Sequence, residues 1–319
     1  MLFRPLAIVL PVFLAQTVSL AVAQAQVTLK HKFTEGATYK TREARKIKQS
    51  IGLGNTNING KSDVNMTTTM VCGQRDSEKN LAYETTFDSI VADLEGFGSR
   101  IKFDSANPDA KSDNPIIEAV LDTFRKMKDM TLTFTLDKDN QLISVDGLDE
   151  GSWLSTDDFK QFQKDRLNLL PSEPVKPGDT WERSEEINLG QGAMFVIHRK
   201  YKYAGTTAKS PKDKDGPKLD KITAVDLSVE YKVIGDSLPI EVKESDLKVG
   251  STKHTYLFDR ELGRMVDERG EMQVKGSIKT SVMGTEVDGT LDLTMEERRQ
   301  DVEVKQADKG AVEKEAVKK

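Results

Sequence analysis

The chain has 319 residues, of which 37% are hydrophobic, 31% charged and 6% aromatic, and its formal net charge is −5. Its 47 basic and 52 acidic residues are interspersed, which argues against nucleic acid or an anionic membrane as a partner, because either would favour a concentrated basic face. The low aromatic content indicates a thin, sheet-like core. Cys72 is the single cysteine, so it forms no intramolecular disulfide, and we interpret it as a small buried strand residue.

Residues 1–25 form a predicted signal peptide. Arg4 precedes an apolar run, and residues 21–25 read Ala-Val-Ala-Gln-Ala, the small-x-small pattern of a cleavage site. We expect cleavage after Ala25, or after Ala23, and export to the periplasm or the exterior as a soluble protein. A retained membrane anchor is the alternative, although polar residues interrupt the stretch and a spanning helix needs about 20 apolar residues. Because no cysteine lies near the cleavage site, we do not expect a lipoprotein, and no transmembrane segment should remain after cleavage.

Alternation of apolar and polar residues with a period of two predicts antiparallel strands with one solvated face. The clearest segment is 223–233, which predicts one shared face for Val225, Leu227, Val229, Tyr231 and Val233. The same pattern occurs at Leu132, Phe134 and Leu136, at Val64, Met66, Met70 and Cys72, and at Val287, Leu291, Leu293 and Met295. Turn residues at 137–140 and 259–263 predict two hairpins. Their similarity suggests two related halves, 27–150 and 179–304, within one β-rich domain spanning 26–304.

Two helices interrupt the predicted strands. Asn114 and Pro115 are typical of a helix start, and an apolar stripe follows at helical spacing. Its residues are Ile116, Ile117, Val120, Leu121 and Phe124. The second helix is expected to begin near Ser155 and to end before Pro171, so that a helix and a proline-rich crossover over 151–178 join the two halves. Residues 305–319 are rich in Lys and Glu with little to bury, and are predicted to be a disordered charged tail.

The reactive residues form no recognisable catalytic or metal-binding motif. His31, His198 and His254 are far apart in the sequence, without the short spacing typical of a zinc site. We interpret each as a strand residue at a polar or boundary position. The sequence therefore predicts no catalytic residue, no cofactor and no metal ligand.

The most distinctive segment is 170–181, which reads Leu-Pro-Ser-Glu-Pro-Val-Lys-Pro-Gly-Asp-Thr-Trp. Together with the leader and the hairpin from Tyr256 to Gly263, it resembles an uncharacterised family of exported bacterial β-rich proteins, a domain of unknown function with an LPxxPVKxGDTW signature. The resemblance implies secretion and a β-rich fold, with a distant likeness to the half-barrels of periplasmic lipoprotein carriers. It implies no catalytic residue.

We therefore predict an α+β fold, mainly antiparallel β, in which a curved sheet or half-barrel carries two helices on its concave face. The leading functional hypothesis is a monomeric, non-enzymatic envelope protein that binds a lipid or another hydrophobic small molecule. The predicted ligand-lining residues are Val225, Leu227, Val229, Tyr231, Leu132, Phe134, Ile117, Leu121 and Phe124. A structural or protein-interaction module of the cell surface is the alternative, and a hydrolase assembled from distant residues, including His198 or His254, is a third hypothesis.

Overall fold

A computed structural model describes residues 26–96, 98–148, 156–190, 193–208, 218–233, 240–282 and 285–305. The predicted signal peptide and residues 306–319 of the predicted tail lie outside these ranges. The strands are β1 (Thr38–Leu53), β2 (Thr56–Arg75), β3 (Leu81–Gly96), β4 (Ser99–Asp104), β5 (Thr131–Leu136), β6 (Leu142–Asp146), β7 (Thr180–Gly190), β8 (Ala193–Ala208), β9 (Lys218–Val233), β10 (Ile240–Val249), β11 (Lys253–Asp259), β12 (Arg264–Val282) and β13 (Thr285–Lys305). The helices are α1 (Pro115–Asp129) and α2 (Thr156–Leu167).

All the strands of the described residues belong to one curved antiparallel sheet. Its order is β6-β5-β3-β2-β1-β13-β12-β11-β9-β8-β7, with β4 paired to β3 and β10 paired to β12. The first and last long strands, β1 and β13, pair at the centre along the whole length of β1. The sheet and its two helices confirm the predicted α+β fold, and both predicted hairpins are present as β5–β6 and β11–β12.

The two helices lie on the core face of the sheet, as predicted. α1 begins where the sequence indicated, because the Asn114 side-chain oxygen accepts a hydrogen bond from the Ile117 backbone N–H at 3.3 Å. It packs on β3, whereas α2 contacts both β6 and β7, the two ends of the strand order. α2 therefore bridges the two edges of the sheet. Neither described helix has the length and apolar character required to cross a membrane.

The segment that precedes β1 closes one end of the curved sheet. Val27 pairs with Val175 of the proline-rich crossover, and the Phe33 ring stacks on Tyr83 with centroids 5.4 Å apart. Between them, the Lys32 backbone N–H donates to the Gly263 carbonyl at 2.9 Å. Gly263 has φ +66°, and a Cβ there would lie 2.5 Å from the Lys32 nitrogen, so this turn requires glycine. The crossover is fixed in turn by Trp181, whose indole N–H donates to the Leu169 carbonyl at 2.9 Å.

Four apolar clusters fill the core face. Two of them lie beneath the N-terminal segment and the crossover. One contains Leu29, Tyr201, Tyr203, Ile222 and Phe258. The other contains Tyr39, Cys72, Tyr83, Phe134 and Leu136. At the other end lie the α1 cluster (Ile90, Ala92, Phe103, Ile117 and Leu121) and the β8–β13 cluster (Phe195, Ile197, Val229, Tyr231, Met272, Val274, Ile278, Leu291, Leu293 and Met295). A layer of charged side chains separates the two ends, as described below.

A β-bulge between β8 and β9 overturns part of the predicted alternation. The register shifts between His198 and Arg199, opposite Ser228 and Asp226. Val225 and Leu227 are consequently exposed on the outer face, each at 47%, while Asp226 is buried. The prediction that these two residues share a buried face with Val229 and Tyr231 was wrong. The alternation predicted at Leu132, Phe134 and Leu136 was correct, and Cys72 is buried in a strand as predicted.

Candidate functional site

An apolar groove runs along the core face between the α1 cluster and the β8–β13 cluster. Its floor is formed by neighbouring strands. On β1, Ile47 and Ile51 pack against the β8–β13 cluster, with Gln49 between them on the same face. On β2, Val64 and Met66 lie opposite Arg45 and Glu43 and pack against the α1 cluster. All four aliphatic side chains are half-buried. Aliphatic residues on the core face that retain accessible surface form a binding surface for an apolar molecule, because covering them is favourable by about 25 cal/mol per Å².

On β1 and β13 the core face changes from apolar to charged beside the groove. On β1, Ile47 is followed on the same face by Arg45, and their partners on β13 are Met295 and Glu297. On the other side of β1, Val64 and Met66 of β2 lie opposite Arg45 and Glu43. Glu297 lies opposite Gly270 of β12, which in turn lies opposite His254 of β11.

Six charged side chains come together on the core face at this level, and we call this group the chamber: Glu43, Arg45, Arg166, Glu268, Glu297 and Arg299. Arg45 binds Glu43 at 3.2 Å, and Arg299 binds Glu268 at 3.2 Å. Two further contacts are longer, Arg45 to Glu297 at 3.9 Å and Arg166 of α2 to Glu268 at 3.8 Å. The six side chains form a charge-balanced set of three cations and three anions.

The chamber is interior and yet accessible. Its six side chains retain between 23% and 38% of their accessible surface. Burial nevertheless has the largest single influence on the pKa values of Glu43, Arg166 and Arg299. For Glu43, burial opposes ionisation, but the charges of Arg45, Arg166 and Arg299 outweigh it and lower the pKa of this carboxyl group. The six charged groups are therefore partly shielded from solvent and still reachable by it.

A second group of polar residues, which we call the buried network, adjoins the chamber: Glu185, Arg199, Asp226, His254 and Tyr256. Arg199 is 1% exposed, and its Nε donates to Asp226 at 2.5 Å. Its Nη1 donates to Glu185 at 3.0 Å and to the Tyr256 hydroxyl at 2.8 Å. The His254 Nε2 lies 3.0 Å from the other Asp226 oxygen. The bulge described above brings Asp226 into this network.

Glu185 is the group of this network whose ionisation is most relevant near neutral pH. Burial raises its pKa from 4.5 to about 7, the positive charge of Arg199 opposes this shift, and the neighbouring carboxylates Glu297, Asp226 and Glu268 add to it. Glu185 therefore changes its protonation state near neutral pH, next to an arginine that always carries a charge.

The three histidines occupy different environments. His198 is a half-exposed residue of β8, as predicted, whereas His254 is 1% exposed and was wrongly expected at a boundary position. His31 lies in the irregular segment before β1 instead of in a strand, and burial lowers its pKa to about 4. Among the described residues no group of three or more His, Cys, Asp or Glu side chains is arranged to hold a metal ion.

A serine, a histidine and a glutamate do meet on the outer face. The Ser184 Oγ lies 3.3 Å from His198 Nδ1, and the His198 Nε2 lies 3.3 Å from Glu182. Both distances are long for hydrogen bonds of this kind. The side chains of His198 and Glu182 are 43% and 47% exposed, so they lie open to solvent.

The structure distributes the predicted ligand-lining residues over separate places. Val229 and Tyr231 belong to the β8–β13 cluster, Ile117 and Leu121 to the α1 cluster, and Leu132 and Phe134 to a cluster beyond the chamber. Phe124 packs against the α1 cluster with its ring 5.5 Å from Phe103. Val225 and Leu227 lie on the outer face and do not contribute. The groove floor itself, Ile47, Ile51, Val64 and Met66, was not predicted as a ligand-lining surface.

Two concavities among the described residues lie outside the groove and are lined mainly by polar residues. One, of about 460 Å³, lies beside α1 and is lined by Pro108, Asp109, Lys111, Arg125 and Lys128. The other, of about 510 Å³, lies between strands and is lined by Lys48, Gln49, Ser50, Asn59, Gly60, Lys61, Glu95, Asp292 and Thr294.

The sequence contained a signal for the chamber. In β13, Leu291, Leu293 and Met295 are followed at the same parity by Glu297, Arg299 and Asp301. In β1, Thr41, Glu43 and Arg45 have the parity of Ile47 and Ile51. A strand that continues past its apolar residues with charges on both faces indicates a charged stretch of the core face.

Comparisons with known proteins give structural neighbours at low identity. No family model matches the chain, and the search of curated proteins finds no match. A lipovitellin structure, titled for its lipid–protein interactions, has a TM-score of 0.46 and 9% identity over 87% of this chain, which spans 26% of the length of that chain. OpdQ of Pseudomonas aeruginosa covers 83% of this chain and 99% of its own, with a TM-score of 0.20 and 10% identity. The match to a DUF1329 family protein from Desulfovibrio piger covers 84% of this chain and 86% of that protein, with a TM-score of 0.12 and 10% identity.

Proposed function

We propose that this protein is an exported, non-enzymatic protein of the cell envelope that binds a lipid-like molecule in the apolar groove. The observation that carries the proposal is the set of half-buried aliphatic side chains on β1 and β2, Ile47, Ile51, Val64 and Met66, between two fully buried clusters. These residues are accessible on the core face, where soluble proteins ordinarily exclude water from apolar side chains. An acyl chain laid along the groove would cover them.

The test is the binding of a long-chain monoacylglycerol to the purified chain, measured by displacement of a fluorescent apolar probe and by native mass spectrometry. Ile51→Asn places a polar amide on the groove floor and should weaken binding at least about tenfold, because an amide without a partner is costly to bury. Ile143→Asn is the matched control, since Ile143 is 42% exposed outside the groove. Equal affinity in both variants, or no binding by the wild-type chain, would contradict the proposal.

The non-enzymatic part of the proposal is supported by the surroundings of the acid and base groups. Asp226 is bound by both Arg199 and His254, and the Ser184–His198–Glu182 group lies on an open face. We expect no hydrolysis of short-chain p-nitrophenyl esters above the rate of the Ser184→Ala variant. Turnover that this variant abolishes would favour the hydrolase hypothesis instead.

A protein-interaction module is the second candidate, and the exposed pair Val225 and Leu227 favours it. Both side chains lie on the outer face of β9 beside the bulge, each 47% exposed. The double variant Val225→Ser and Leu227→Ser removes this apolar surface without touching the groove. If this double variant abolishes association of the purified chain, measured by analytical ultracentrifugation, while lipid binding is unchanged, then the outer face is the interaction surface.

A further inference from the structure

We propose that the ligand is an amphiphile with a zwitterionic head, whose acyl chain lies in the groove and whose head lies in the chamber. This inference rests on the proposed function and names its ligand class. The juxtaposition that carries it is the direct succession of groove and chamber on the same strands, since Ile47 and Arg45 are consecutive core-facing residues of β1. Met295 and Glu297 repeat this step on β13.

The charges of the chamber match a head of both signs. Three guanidinium groups and three carboxylates alternate, with Glu43 opposite Arg299 and Arg45 opposite Glu297 in the β1–β13 register. A net anion in this space would meet Glu43, and a net cation would meet Arg299. A zwitterion offers an anionic group to the arginines and an ammonium group to the glutamates, so it gains from both and leaves the total charge unchanged.

Two members of the chamber are available for exchange of partner. Among the described residues, Arg166, at the end of α2, has its paired carboxylate Glu268 at 3.8 Å, and Glu297 lies 3.9 Å from Arg45. These separations are longer than those of the tight pairs Arg45–Glu43 and Arg299–Glu268, both 3.2 Å. An anionic group such as a phosphate would bind Arg166, for which guanidinium has suitable geometry, and an ammonium group would bind Glu297.

The position of Arg166 also connects the head to the helix that bridges the sheet. α2 contacts β6 and β7, and Arg166 points from it to Glu268 on β12. Burial opposes the charge of Arg166, but Glu268, Glu43 and Glu297 raise its pKa further, so this side chain stays positive inside the fold. A bound anionic group would therefore add a contact between α2 and the centre of the sheet.

The experiment compares three single-chain lipids with the same acyl chain on the full-length mature protein: lysophosphatidylcholine, lysophosphatidylglycerol and monoacylglycerol, all below their micellar concentrations. Dissociation constants are measured by displacement of a fluorescent apolar probe. We expect the zwitterionic lipid to bind about tenfold more tightly than the other two, which corresponds to one additional charge-assisted contact. Arg166→Gln and Glu297→Gln should each remove this preference and leave monoacylglycerol binding unchanged. Arg100→Gln, at a 60% exposed site paired with Asp93, is the control.

The outcomes separate the two proposals. Equal binding of the three lipids would overturn the head-group inference and leave the proposed function intact. Tightest binding of the anionic lipid would also overturn it, because three accessible carboxylates would then have no part in selection. Binding of none of the three lipids would contradict the proposed function itself. If Arg166→Gln alters the circular dichroism of the chain, its effect on lipid preference could reflect a change in α2. The preference of Glu297→Gln then tests the head-group inference, since Glu297 lies on β13 and its substitution leaves α2 unchanged.

Discussion

Glu185 should make the stability of the fold decrease as the pH rises from acid to neutral. The pKa of its carboxyl group is about 7 in the folded protein, against 4.5 for the ordinary value that applies to the unfolded chain. Between these two values the unfolded chain loses a proton that the folded protein retains. The folded state is therefore favoured fully below pH 4.5, and this advantage declines until the pH passes about 7.

The size of this effect follows from the difference between the two pKa values. One pKa unit corresponds to about 1.4 kcal/mol, so the rise from 4.5 to about 7 corresponds to about 3 kcal/mol. Only 15% of the Glu185 side chain is exposed, so solvent screening reduces this figure little. Glu185→Gln keeps an acceptor for Arg199 and removes the titration. The stability of this variant relative to the wild type should rise by about 3 kcal/mol between pH 4.5 and pH 8.

Urea unfolding of both chains, followed by circular dichroism at several pH values, measures this difference directly. Effects of the other titratable groups are common to both chains and largely cancel. Glu182→Gln is the control, because Glu182 is 47% exposed on the outer face of the same strand. A stability difference between Glu185→Gln and the wild type that is constant with pH, or that changes in the opposite direction, would refute the assignment of Glu185 as a buried carboxyl group.

Three further expectations concern other buried positions. His31, with a pKa lowered to about 4, should cost stability as the pH falls below 6.5, and His31→Gln should flatten that loss in thermal unfolding at pH 5. Gly276→Ala should destabilise the β10–β12 pairing by about 3 kcal/mol in urea unfolding, because its Cβ would lie 2.0 Å from the Asp246 carbonyl, whereas Gly96→Ala should be tolerated. Cys72, buried and with its pKa raised to about 11, should react with iodoacetamide only after unfolding, as mass spectrometry would show.

The strand pattern and the helix starts were predictable because they depend on local rules. Alternation at Leu132, Phe134 and Leu136 requires only a pleated strand with one wet face, and the start of α1 requires only the capping side chain of Asn114. The pairing of β1 with β13, by contrast, joins residues more than 230 positions apart. Nothing local specifies that contact, so the order of the strands came from the structure alone.

The bulge between β8 and β9 explains why Val225 and Leu227 do not share the buried face of Val229 and Tyr231. The sequence alternates without interruption from Val225 to Val233, and a regular strand would bury both residues with Val229. One additional residue, Leu227, lies between the paired Ser228 and Asp226 and reverses the facing of the preceding positions. The carboxylate becomes buried because Arg199 and His254 provide partners for both of its oxygens. Those partners come from β8 and β11, which no local pattern brings together.

The bulge and the chamber together determine where a polar group can be held inside this sheet. Regular alternation would place an apolar residue at every core-facing position, and the interior would then offer no partner for a head group. The charged stretches of β1 and β13 create the chamber, and the bulge carries the same charged level onto β8 and β9 through Arg199 and Asp226. Beyond these charged side chains, the core face is again filled by the apolar clusters beneath the N-terminal segment. A molecule held against the half-buried aliphatic side chains of β1 and β2 would therefore have charged groups of both signs beside it.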